Sequence, residues 1–442
     1  MSKAKLARSK QPRGTSSVPS NKEGRHGGHP SKSLFLLHAS QLVTLSGPKR
    51  ARVGNELSEL GIIRDGGILI RDGKIERVGP SDEIEKSSKG AEIIDLGGRV
   101  AFPGFVDAHT HLVFGGNRLD DFERRARGES YEQIARAGGG IWSTVQKTRA
   151  ATEEELFQSA KKRVDWFLDG GTTTIEAKSG YGLTLGDELK ILRVLRRLND
   201  ETPIEIVPTF LGAHAIPRDT TGDKYVDLVI NEMLPRVAKE KLAEFCDVFC
   251  ERNYFDIEQS RKILTAAKML RLKLRGHVDQ LTNSDGAKLM AELGAATADH
   301  LEKTDEQGIA ALKKATVQPV LLPGSVYALG LKEYPRARQM IEAGLAIVLA
   351  TDFNPGSSPT ASMPMVLSLA CTQMKMSPAE AITAATINAA YSLSRGDTIG
   401  SIEVGKSANI AVFDCQDYRE LAYWFGVPQN HSTYVNGLNV LA

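Results

Sequence analysis

Apolar and polar residues follow two rhythms along this chain of 442 residues. Near each end the pattern is short and strand-like. Residues 34–37, 67–71, 74–78 and 92–96 form one such group, and residues 400–404, 409–414 and 432–435 form the other. Asp72-Gly73 and Asn436-Gly437 stand at the ends of such runs, where a tight hairpin needs residues that tolerate positive φ. The two strand-rich ends are expected to pair into one small β-sandwich domain.

Between them the chain alternates apolar run, polar loop and amphipathic stretch. The apolar runs are 100–106, 172–177, 204–211, 245–250, 272–278, 296–298, 317–322 and 346–350. Stretches with helical period separate most of them, at 153–168, 187–198, 224–237, 257–270, 284–293, 305–314 and 334–343. Strands alternating with helices of this length predict parallel βα units. Eight units predict a closed (β/α)8 barrel of the TIM type rather than an open sheet. No close sequence repeat underlies the rhythm, which excludes a solenoid. The expected organisation is a tail at 1–32, a small β domain from 33–102 and 396–442, and a barrel at 103–395.

Composition adds little to that picture except at the N-terminus. Hydrophobic content of 41% and charged content of 25% are ordinary for a globular protein. No apolar run of about 18 residues occurs, so no membrane span is expected. An apolar segment suited to a secretory signal is also missing near residue 1. Cys246, Cys250, Cys371 and Cys415 form no CxxC pair, which suggests reduced thiols and a cytoplasmic enzyme. The net charge of +2 hides an asymmetry: residues 1–32 hold eight basic side chains and one acid, leaving 48 basic and 53 acidic residues elsewhere. Such a segment lacks the apolar surface to fold and reads as a solvated, disordered tail, with a transit peptide or a nucleic-acid arm as lesser alternatives.

The chemistry sits in the histidines. Of nine, five (His109, His111, His214, His277 and His300) fall at or just after the end of an expected barrel strand. Strand ends converge on one mouth of such a barrel, so residues distant in sequence become neighbours there. In His109-Thr110-His111 the two imidazoles at i and i+2 point to one side of a strand. His277 ends the fifth run and Asp352 the eighth. A carboxylate in that mouth is costly without a cation or hydrogen bonds. Three imidazoles and one carboxylate suit Zn²⁺ or Fe²⁺ with room for a water. Asp352 can take that water's proton, and His300 can polarise a carbonyl or move protons. His300 can alternatively be a barrel histidine with its hydrogen bonds satisfied. Lys178, at the end of the second run, is read as structural or as part of the pocket, with a carbamylated lysine bridging two metals as the alternative.

Residues 103–111 (PGFVDAHTH) resemble the motif of the amidohydrolase superfamily. Residues 111–118 (HLVFGGNR), 137–142 (AGGGIW), 176–182 (EAKSGYG), 210–215 (FLGAHA) and 351–356 (TDFNPG) narrow the resemblance to the imidazolonepropionase family. It runs from about residue 34 to the C-terminus. It implies hydrolysis of the cyclic amide of 4-imidazolone-5-propanoate to N-formimidoyl-L-glutamate in histidine degradation. It also implies one Zn²⁺ or Fe²⁺/Fe³⁺ per subunit on His109, His111, His277 and Asp352, and a homodimer.

By the same resemblance Arg118, Tyr181 and His214 match substrate-contacting positions. Asn354, Gly356 and Ser357 match positions that hold substrate or product. Arg118 suits the propanoate as a permanently charged, bidentate partner, unless it forms a surface ion pair with Asp120 or Asp121. The chain departs from some members at Gln280, where they carry a glutamate. Glutamine cannot act as a base but can hydrogen-bond the substrate ring, which leaves proton transfer to Asp352 and His300. The competing readings are a guanine-type deaminase on the same metal and a barrel kept only for binding. Arg118 and the KSGYG loop speak against the first, and four intact ligand positions against the second.

Overall fold

The structure is a computed structural model that describes residues 33–441 apart from 87, 131–132 and 135–136. The expected tail at 1–32 lies outside the described residues. Among these residues no helix is long and apolar enough to cross a membrane.

Strands from both ends of the chain share one sheet, in the order β17 (Leu438–Asn439), β16 (Asn430–Val435), β15 (Ile410–Phe413), β5 (Val100–Pro103), β1 (Ser33–Val43), β2 (Ile62–Arg71) and β3 (Lys74–Pro80). Strand β4 (Glu92–Asp95) also pairs with β1. Both sequence-predicted hairpins form. Arg71 pairs with Lys74 across Asp72 (φ 50°) and Gly73 (φ 76°), and Val435 with Leu438 across Asn436 (φ 49°) and Gly437 (φ 74°). Positive φ at both central residues gives the turn whose twist suits a hairpin. β1 is irregular between Leu36 and Ala39; its first half pairs with β4 and its second half with β5. Leu36 and Leu42 of β1 and Ile70 of β2 share one buried apolar cluster with Ala101 of β5 and Ile410 and Val412 of β15. Residues 400–404, expected as a strand, instead run beside the sheet. Ile402 N–H reaches the Thr44 carbonyl at 2.7 Å, and Gly405 N–H reaches Ile75 at 2.8 Å.

The second sheet is the barrel. Its parallel strands run β14 (Val348–Leu349), β13 (Gln318–Leu321), β12 (Thr297–His300), β11 (His277–Val278), β9 (Phe245–Cys250), β8 (Glu205–Ala213), β7 (Thr172–Lys178) and β6 (Phe105–Asp107), with β10 (Lys273–Leu274) also on β9. Such strands are buried on both faces, which is why they read as unbroken apolar runs. A bridge between Thr110 and Phe353 and the Thr351 N–H to Asp107 Oδ1 bond of 3.0 Å join the last strand to the first.

Two expected strands divide. Run 100–106 splits at Gly104, which sends β5 to the small sheet and β6 to the barrel. A Cβ at Gly104 would lie 2.4 Å from the Thr173 side chain, so the crossing needs glycine. Run 272–278 breaks at Arg275-Gly276 into β10 and β11. The helix expected at 224–237 contains a widened turn, Val229–Met233, just ahead of Pro235. Proline lacks an N–H and its ring crowds the preceding carbonyls, and widening relieves both. The stretch 334–343 shortens to Ala337–Glu342. Helices outside the expected stretches include Leu119–Ala126, Ile141–Ala150 and Met363–Met374.

Candidate active site

The strand ends deliver their side chains to one place. His109 and His111 follow β6, His277 opens β11, His300 ends β12 and Asp352 follows β14. All five are buried. His277 Nε2 lies 3.4 Å from His111 Nε2. Asp352 Oδ1 lies 3.5 Å from His109 Nε2 and 3.6 Å from His111 Nε2. The histidine triad and the group His109, His300 and Asp352 each converge closely enough to hold one ion. Four donors at about 2.1 Å from a tetrahedral ion stand about 3.4 Å apart, and these separations match. His109 Nε2 is buried without a hydrogen-bond partner, as a nitrogen reserved for a cation would be. The residues present therefore fit a zinc- or iron-type ion.

What aims the rings is a layer of charge inside the barrel, of which only Lys178 is singled out from sequence. His109 Nδ1 meets Asp299 Oδ2 at 2.7 Å, and His277 Nδ1 meets Asp247 Oδ1 at 3.1 Å. Each carboxylate fixes a tautomer and turns Nε2 toward the site. Lys178, with Glu176 and Arg275, completes this layer, and all three are fully buried. Burial alone would lower the Lys178 ammonium, but the carboxylates of Asp247 and Glu176 outweigh it and raise its pKa. Its Nζ is taken up by Asp247 Oδ2 at 2.7 Å and Glu176 Oε1 at 2.9 Å, a pairing that suits a structural role.

Burial sets the protonation of the rest. It pushes the His109 and His111 imidazoles well below their ordinary value, aided by neighbouring positive groups, so both are neutral donors. Burial lifts the Asp352 carboxyl to about 7, opposed by His300. His300 is raised: burial pulls it down, but nearby Glu302 outweighs that. His300 (φ 81°) and Asp352 (φ 53°) both sit in the left-handed region, a strained backbone held by its surroundings.

A cavity of about 470 Å³ opens beside these groups, lined by Arg118, Tyr181, His214, Gln280, Asn354 and Ser357 among others. His214 stacks on His111 with ring centroids 5.1 Å apart, and its Nδ1 lies 3.0 Å from the Gly180 carbonyl, which leaves Nε2 for the cavity. Burial takes the His214 pKa down to about 3, so the ring is neutral. Tyr181 stands 5.3 Å from His214, centroid to centroid. Its loop is shaped by buried Glu188, which accepts the N–H groups of Gly180, Gly182 and Leu183 at 2.9, 2.8 and 2.7 Å.

Arg118 donates from Nε to Thr144 Oγ1 at 2.7 Å and makes no ion pair among the described residues. Asp121 is turned away to the Gly140 N–H at 2.8 Å. Asn354 spends its Oδ1 on the N–H groups of Gly356 and Ser357, at 2.8 and 2.7 Å. Gly356 lies behind that wall: a Cβ there would meet Arg118 Nη1 at 2.1 Å. Arg125, not singled out from sequence, also lines the cavity and reaches the Gly356 carbonyl at 3.2 Å.

Comparison with known proteins agrees with this arrangement. The amidohydrolase family model matches residues 100–440. An imidazolonepropionase of Solibacter usitatus is 60% identical over 405 residues, covering 91% of this chain and 97% of the relative. One from Brevibacillus brevis is 47% identical over 418 residues, covering 93% and 98%. Among solved structures, a zinc-bound adenosine deaminase from Xanthomonas campestris superposes with a TM-score of 0.70 at 18% identity, covering 93% of each chain. E. coli guanine deaminase does so with 0.67 at 14% identity, covering 93% of this chain and 99% of the other; at such identities only the fold is shared. The chain belongs to the amidohydrolase family and, within it, to the imidazolonepropionases.

Proposed function

We propose that this chain hydrolyses the ring amide of 4-imidazolone-5-propanoate to N-formimidoyl-L-glutamate, on one zinc or iron ion held by His109, His111, His277 and Asp352. The observation that carries the reading is the meeting of an N₃O donor set with an arginine-bearing cavity. When bound, such an ion acts as a Lewis acid and acidifies water to near neutrality.

The side chains supply the rest. Arg118 pairs with the propanoate through a charge-assisted, two-pronged contact and sets the ring's position. Tyr181 and the His214 Nε2 edge border the ring, and Gln280 can donate to it. Asp352 accepts the proton of the attacking water. His300, kept basic by Glu302, passes a proton to the departing ring nitrogen. Asn354 and Ser357 shape the wall against which substrate and product lie. The same reading extends to a homodimer in the cytoplasm, with 33–102 and 396–442 as one domain and 103–395 as the other.

The test mixes purified protein with 4-imidazolone-5-propanoate and follows loss of the ring's ultraviolet absorbance. His111→Ala in parallel should lose metal and activity together. A His111→Ala protein as active as the parent would remove the ligand assignment.

A further inference from the structure

The proposed reaction gives no part to the buried cation nearest the ring supports. Lys178 ends β7 with its side chain wholly enclosed. Its Nζ lies 2.7 Å from Asp247 Oδ2, 2.9 Å from Glu176 Oε1 and 3.8 Å from Asp299 Oδ2. Asp247 and Asp299 are the same two carboxylates that meet Nδ1 of His277 and His109. They stand on β9 and β12, so one ammonium from β7 spans the barrel interior and touches the supports of two rings.

The surroundings argue against simple filler. Barrel interiors are ordinarily packed with branched apolar side chains. Here Glu176, Asp247 and Asp299 meet the cations Lys178 and Arg275, all fully buried. Apolar side chains of similar volume commonly serve stability as well or better than such buried ion networks. A stability role therefore does not account for the cluster, whereas a role in aiming ligands does. Asp247 divides its oxygens: Oδ1 accepts the Val248 and His277 N–H groups at 2.7 and 3.2 Å and meets His277 Nδ1, and Oδ2 goes to Lys178. Moving the ammonium would leave Oδ2 without its cation and let the carboxylate turn about the anchored Oδ1, shifting the ring that Oδ1 meets. Arg275 Nη2 holds Asp299 Oδ2 at 3.3 Å as well, whereas among the described residues Lys178 is the only Lys or Arg paired with Asp247.

We propose that Lys178 is a positioning residue for the metal: by gripping Asp247, and Asp299 more loosely, it locks the orientation in which His277 and His109 present Nε2 to one ion. The inference rests on the metal reading above. Removing a group that supports a metal-binding imidazole costs about 10- to 100-fold in metal affinity. Lys178→Met is expected in that range, and Asp247→Asn with it. Because both act through one ring, the double variant should bind no more than about twofold more weakly than the weaker single variant.

The experiment titrates Zn²⁺ into metal-stripped protein against a chromophoric chelator, with thermal melts of the stripped proteins alongside. Glu176→Gln/Lys178→Met keeps the buried charge balanced and carries the same comparison if Lys178→Met alone does not fold. Zinc affinity reduced at least tenfold, in protein that melts cooperatively, supports the proposal. Zinc affinity within twofold of the parent, whatever the change in melting, overturns it and leaves Lys178 a purely structural ion. If the parent itself takes up no zinc, or His111→Ala takes it up equally well, the metal reading fails and this inference with it.

Discussion

Gly356 offers a test of Arg118 that does not touch Arg118. Its φ lies outside the left-handed region, so alanine suits the backbone. An added Cβ, however, would lie 2.1 Å from Arg118 Nη1 and 2.8 Å from Cζ, where ordinary contact begins at 3.4 Å. The guanidinium must retreat by about 1.3 Å, and shifts of about 1 Å in a positioning group can cost about a hundredfold. Thr144 resists the retreat, holding Nε at 2.7 Å. Losing a charge-assisted contact to the propanoate is worth about 1.5–3 kcal/mol, or about 10- to 150-fold in kcat/KM. Most of it should appear as raised KM, because the propanoate is bound equally before and during the reaction. The fold should survive with a stability change within about 0.5 kcal/mol, since the clash is with the end of a flexible side chain. Initial rates for the parent, Gly356→Ala, Arg118→Ala and the double variant complete a cycle. If the clash acts through Arg118, Gly356→Ala should cost almost nothing in the Arg118→Ala background. An undiminished penalty there, or no penalty in the parent background, would refute the reasoning.

Other outcomes follow from the same geometry. Gln280→Glu should change kcat by less than about tenfold, because Asp352 and His300 already stand at the proton's path; a gain of orders of magnitude in steady-state rate would reassign the base. Glu188→Gln turns an NH₂ toward a cluster of three backbone donors. It should cost about 1–3 kcal/mol in a denaturant titration and raise KM as the Tyr181 loop loosens; unchanged values for both would deny the loop that support. Glu56 is held at about 2 by the paired bonds of Arg50, at 2.6 and 2.7 Å. A depressed carboxyl stabilises above its ordinary value near 4.5 and loses that as pH falls toward 2. Glu56→Gln should therefore lower stability by less than about 1 kcal/mol at pH 7. The gap should close on acidification, and a gap that widens instead would reverse the sign.

The barrel was legible because its strands are buried on both sides and leave apolar runs, and the hairpins because Asp-Gly and Asn-Gly favour positive φ. What stayed hidden has physical causes. Val100–Pro103 and Phe105–Asp107 are equally apolar, so hydrophobicity could not show that Gly104 switches sheets. Pro103-Gly104 was the available signal. Met363–Met374 is buried along most of its length, with Val366, Leu367, Ser368, Leu369 and Ala370 all enclosed. A helix without a polar face carries no amphipathic period. Leu119–Ala126 does carry apolar residues at i and i+3, Leu119 and Phe122, but it is only eight residues long and both stay exposed.

The groups converging on the site were legible for a different reason: they stand at strand ends, and topology alone makes strand ends neighbours. The charges beneath them were not. Glu176, Asp247, Arg275 and Asp299 lie within or beside apolar runs, where a reading by hydrophobic pattern treats a single polar residue as tolerated noise. Burial cost argues the reverse. An ionised side chain enclosed in a barrel must be paired, and each pair must reach another strand. Asp247 in Phe245–Cys250 and Asp299 in Thr297–His300 therefore call for partners on sequence grounds alone. The candidates were the histidines at the other strand ends, since a ring that gives one nitrogen to a metal needs an acceptor for the other. Charges inside buried strands thus locate the supports of a metal site as surely as histidines at strand ends locate its ligands.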